Sequence, residues 1–161
     1  MKDFFNAYEI FEMAEQIERN GAAFYRKAAA ATADKETGKM FVALAAMEDD
    51  HVKAFSSMRE SLSGQEWAQG FEGENDAVLF LRAMATGKVF DDKSDLLTAI
   101  EKMDAKDILR TAVSLEKESI MFYTGMKHAV PAEFGREKID NIIKEEMRHA
   151  TMLASRLNSI K

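Results

Sequence analysis

The chain has 161 residues, 47% of them hydrophobic, a net charge of −6 and no cysteine. That length suits one domain over residues 1–161 with its own core. The acidic balance argues against nucleic-acid or anionic-membrane partners, and the missing thiols exclude disulfides, thiolate zinc sites, iron–sulfur clusters and cysteine nucleophiles.

One proline, eight glycines and a bias towards Ala, Leu, Met, Glu and Lys predict an all-α protein. The first long helix is expected from Asp3 to Ala31, and Thr32-Ala33-Asp34 supplies a cap for a second from Lys35 to Leu62. Ser63 to Asp76 reads as a loop, with Gly64, Gly70, Gly73 and Trp67. Asn75 or Asp76 can cap a short helix ending near Gly87, and another short helix is expected from Ser94 to Met103. Asp104 caps a third long helix from Ala105 to Lys127, and Pro131 suits the first turn of a fourth that reaches Ser159. Two hairpins joined by a long connection give an antiparallel four-helix bundle with one long crossover containing short helices. No segment has the make-up of a leader or a membrane span, so the expected location is the cytoplasm.

The two hairpins are copies. Glu48-x-x-His51 recurs as Glu146-x-x-His149, Glu18 recurs as Glu116, and Phe24-Tyr25 recurs as Phe122-Tyr123, each 98 positions on. At alternating steps of three and four residues the first helix reads Phe4, Ala7, Phe11, Ala14, Glu18, Gly21, Tyr25 and Ala28, an apolar seam broken by one acid. The other three helices place Glu48 and His51, Glu116, and Glu146 and His149 at the middle of equivalent seams. A three-residue step turns about 300° around a helix, so the Glu and His of each pair face one point.

An ionised carboxylate on such a seam is costly unless paired or metal-bound. Four glutamates carry four negative charges, which two divalent cations balance and one does not. Glu18, Glu48, His51, Glu116, Glu146 and His149 are therefore the candidate ligands of a two-metal site. Carboxylate oxygens with one imidazole per ion suit iron or manganese, with zinc as an adventitious occupant.

The stretches Ile17 to Tyr25, Met47 to His51, Leu115 to Tyr123 and Glu145 to His149 carry a resemblance to the ferritin-like di-metal carboxylate superfamily, and within it to rubrerythrin-like proteins. The resemblance covers all four long helices. It implies a ferritin-like fold and two Fe ions held by the six residues above. It also implies a non-haem di-iron oxidoreductase that reduces H₂O₂ or O₂, and a homodimer. Rubrerythrins add a cysteine-ligated iron domain, which this chain lacks, so an external electron donor is expected. They also carry a further glutamate where this chain has Ser119. Alternatives on the same site are iron oxidation and storage, a manganese catalase-like activity, and a non-catalytic metal-binding bundle.

Tyr25 and Tyr123 lie two turns beyond Glu18 and Glu116 on the same faces, where they can hydrogen-bond ligands or pass electrons, or serve as core aromatics. Asp49, Asp50, Glu118 and Glu145 read mainly as solvated surface, with one of them able to orient a histidine. His128 reads as a surface residue at the turn between the last two helices.

Overall fold

The computed structural model describes residues 6–62, 75–86 and 94–160. The expected helix start at Asp3, the seam position Phe4 and most of the loop from Ser63 lie outside them. Among the described residues six α-helices follow in chain order, α1 (Ala7–Ala31), α2 (Lys35–Ser61), α3 (Asp76–Thr86), α4 (Ser94–Ala99), α5 (Ala105–Ala129) and α6 (Arg136–Ser159). No strand occurs among the described residues. The architecture is the predicted one: α1 packs on α2 and α5 on α6 as hairpins, while α3 lies against α5 in the crossover.

Local chemistry explains the helix starts. Asn6 forms a capping box with Glu9, Asp34 accepts from the Thr37 amide at 2.8 Å, Asn75 accepts from Val78, and Asp104 accepts from Asp107. Three boundaries differ from expectation. α5 runs on to Ala129, and the second crossover helix tightens at Ile100–Lys102 into a 3₁₀ turn. Pro131 does not open α6. It precedes a 3₁₀ turn at Ala132–Phe134, and Gly135 at φ 95° resets the chain before α6 begins at Arg136. A side chain at Gly135 would meet both the left-handed strain and Met58, which is why a glycine ends this turn.

The seam residues fill the bundle as read, and the polar ones form a layer between two apolar halves. One half gathers Phe11, Phe55, Tyr123, Met126 and Ile139; the other gathers Tyr25, Phe41, Leu44, Leu109 and Leu153. The repeat is visible in three dimensions, since Phe24 meets Tyr25 edge-on at 75° and Phe122 meets Tyr123 edge-on at 79°. No described helix is long and apolar enough to cross a membrane.

Candidate metal centre

Each long helix delivers its acid to the middle of the bundle because hydrophobic burial on either side fixes its rotation. All six predicted residues are buried there, Glu18 and Glu146 completely. They fall into two overlapping sets, Glu18, Glu48, His51 and Glu146, and Glu48, Glu116, Glu146 and His149, with the ligand atoms of each set within 4.8 Å of one another. The 98-residue repeat converts one set into the other. Glu48 and Glu146 belong to both, so they lie between the two positions, while Glu18 with His51 and Glu116 with His149 mark the two ends.

Both imidazoles turn Nδ1 inward. His51 Nδ1 is 2.7 Å from Glu146 and 3.4 Å from Glu18, and His149 Nδ1 is 3.4 to 3.7 Å from Glu146, Glu48 and Glu116. Yet Glu18 Oε2, Glu48 Oε1, both Glu146 oxygens and the two Nδ1 atoms have no aligned hydrogen-bond partner. Buried polar atoms are rarely left so. The donor set is of the type that iron and manganese take, and its unpartnered lone pairs converge, so the residues fit a pair of cations.

Without a cation, protons must do the balancing. Burial pulls His51 down, but the Glu146 and Glu18 carboxylates outweigh it and push it up to about 12. His149 is raised in the same way to about 9 by Glu146 and Glu48. Burial, reinforced by Glu146 and Glu48, raises Glu116 to about 12, and burial with Glu48 and Glu146 raises Glu18. Burial opposes ionisation of Glu146 too, yet the proximity of Glu116, His149 and His51 holds it below the usual carboxylate range.

The two tyrosines cross between hairpins. Tyr25 on α1 donates to Glu116 on α5, and Tyr123 on α5 donates to Glu18 on α1. Burial, then the neighbouring carboxylates, keep both phenols protonated well above their ordinary range. Tyr123 holds Oε1 of Glu18 and leaves Oε2 towards His51, whereas on Glu116 the oxygen that accepts from Tyr25 is also the one 3.7 Å from His149 Nδ1.

Glu145 is the acid of the adjacent four that reaches a histidine, at 2.7 Å from His51 Nε2. Asp49 pairs with Arg26 and Asp50 with Lys53, both near the surface. Ser119 spends its hydroxyl on Leu115 O at 3.1 Å and brings no carboxylate, so it does not replace the missing acid. His128 is exposed and lies apart from the centre. A cavity of about 30 Å³ reaches the centre between α1 and α5, where Gly21 and Ser119, related by the repeat, both line it beside Glu48, Glu116 and Tyr25.

Sequence reasoning missed Glu15. It is fully buried one turn before Glu18, with its oxygens held by Arg59 at 2.5 and 3.2 Å and Arg19 at 2.8 Å. The three-residue step from Glu15 to Glu18 was an available signal of burial, but Glu15 falls off the repeat, whose counterpart position is Val113.

No curated protein matches the chain. Its structure resembles the crystal structure of a protein from Thermotoga maritima provisionally described as ferritin-like diiron-carboxylate, at a TM-score of 0.78 and 24% identity over 99% of each chain. The ferritin-like domain family matches residues 6–159, almost the entire sequence. On that match, over a four-helix bundle with a buried carboxylate and histidine centre, the chain belongs to the ferritin-like domain family.

Proposed function

We propose that the protein is a rubrerythrin-like di-iron redox protein that reduces H₂O₂ or O₂ with electrons from an external donor. The observation that carries this reading is the pair of overlapping residue sets, each with one imidazole and three carboxylates, exchanged by the internal repeat, in which Glu18 Oε2, Glu48 Oε1, both Glu146 oxygens and both histidine Nδ1 atoms have no aligned partner. Glu18, Glu48, His51, Glu116, Glu146 and His149 would hold the two ions, since Glu18, Glu48, His51 and Glu146 form one set and Glu48, Glu116, Glu146 and His149 the other. Two bound Fe(II) ions supply the pair of electrons that peroxide reduction needs.

The chain's own groups set the rest. The cavity of about 30 Å³ beside Glu48 and Glu116 has room for a molecule the size of H₂O₂ or O₂. Tyr25 keeps its proton and fixes Glu116 at the cavity wall. Converting H₂O₂ to two waters consumes two protons, and Glu118, half-buried on the cavity wall with Tyr25, Glu48 and Glu116, would be the residue that passes them inward. Apolar packing above and below the centre keeps bulk water from quenching the site.

The test is anaerobic loading with Fe(II), followed by stopped-flow mixing with H₂O₂ and, separately, O₂. At least one should oxidise the bound iron faster than iron in buffer. If neither does, the redox reading fails. Release of O₂ from peroxide by the manganese-loaded protein would instead support the catalase-like alternative.

A further inference from the structure

The repeat that makes the two ends of the centre alike breaks at one pair of positions. Glu145, just before Glu146 on α6, reaches across to Nε2 of His51 on α2 at 2.7 Å. Its counterpart 98 residues earlier is Met47, just before Glu48 on α2, whose Sδ lies 3.1 Å from Nε2 of His149 on α6. With an ion on each inward Nδ1, Nε2 carries the hydrogen and becomes the donor in both contacts. One histidine then donates to a carboxylate and the other to a thioether, which is a weak acceptor. A carboxylate behind an imidazole fixes its ring, raises its basicity towards the metal and adds a negative charge near the ion.

A second observation separates the two ends. The cavity touches Glu48 and Glu116 of the His149 set, but only the shared Glu48 of the His51 set. The end with the weaker histidine support is also the end open to small molecules.

We propose that the two metal positions are unequal by construction: the His51 position binds its ion first and releases it last, and the His149 position, facing the cavity, is the exchangeable one. Glu145 and Met47 are the positioning residues that set the difference. The inference rests on the di-metal reading above, and its test separates the two.

The experiment is titration of the metal-stripped full chain with Mn(II), followed by chelator-competed binding isotherms and by the Mn(II) paramagnetic resonance spectrum. The native chain should bind two ions in steps at least about tenfold apart, with an isolated Mn(II) spectrum at one equivalent and a coupled pair at two. Glu145→Gln keeps an acceptor but removes the charge, and should weaken the tighter step by about tenfold or more while leaving the other in place. Met47→Glu should tighten the weaker step towards the first. Glu145 and Met47 are both partly solvent-exposed, at 47% for the Glu145 side chain and 41% for Met47, so neither change empties the core. Two ions binding with one affinity, Glu145→Gln moving both steps equally, or Met47→Glu leaving the weaker step unmoved would overturn the inequality while the metal centre stood. Binding of no ion would overturn the centre and the inequality together.

Discussion

Glu15 and Glu18 sit one turn apart on α1, both without solvent exposure, and the chain treats them oppositely. Glu15 meets two guanidinium groups, from Arg59 and Arg19, so its charge is balanced inside the fold. Glu18 meets a tyrosine hydroxyl, a histidine and two more carboxylates, and Oε2 is left without an aligned partner. The first arrangement is complete as folded. The second is complete only when positive charge comes from outside, as protons or as metal ions. Burial of an acid therefore does not mark a site; burial without a resident cation does.

The largest expected effect breaks this comparison from the Glu18 side. Glu18→Gln keeps an acceptor for Tyr123 but removes a charge from the layer, and should lower metal affinity by more than about 100-fold, beyond what loss of a supporting residue costs. The metal-free variant should melt no lower than the metal-free native chain, because a carboxylate that resists ionisation has been neutralised. Glu15→Gln should do the reverse. It should bind two ions per chain with native affinity and lose about 2 kcal/mol of folding stability as its charged hydrogen bonds weaken. Calorimetric melting and metal titration on the same two variants check the crossover.

Gly21 offers a smaller and sharper test. A Cβ there would sit 2.8 Å from Glu48 Oε2, so Gly21→Ala should push that shared carboxylate aside and weaken metal binding by about tenfold. Alanine is the better helix former by about 1 kcal/mol, so stability should hold or rise while affinity falls.

The smallest effect concerns pH. In the metal-free fold His51 and Glu116 keep their protons to about 12 and His149 to about 9, above ordinary values of 6.5 for histidine and 4.5 for glutamate. Between pH 6.5 and 9 the folded chain thus holds more protons than the unfolded one, and stability falls as pH rises. The histidine part is full below 6.5 and is lost as pH passes through the raised values. Bound ions displace these protons, so the loaded protein should escape that fall, and its metal affinity should rise with pH. Melting temperatures of both forms across this range decide the point.

Much of this was legible in the sequence. The helices and their faces follow from seam spacing, and the six-residue layer follows from a repeat that chance does not place on four apolar stripes. Less legible was anything that depends on how the hairpins dock. The crossed bonds from Tyr25 to Glu116 and from Tyr123 to Glu18 join residues 91 and 105 positions apart. The pairing of Glu15 with Arg59 spans 44 positions and lies off the repeat. Glu145 was one of four adjacent acids until the meeting of α2 with α6 singled it out. Pro131 misled because a proline fits a 3₁₀ turn as well as a helix start, and only the left-handed Gly135 decides between them.

The central claim is that the unbalanced carboxylate layer is a two-metal centre, and counting metal tests it most directly. After anaerobic equilibration with Fe(II) and removal of free metal, the native chain should retain two ions and the Glu18→Gln plus Glu116→Gln variant almost none. Retention of none by the native chain, or of two by the variant, would contradict the account.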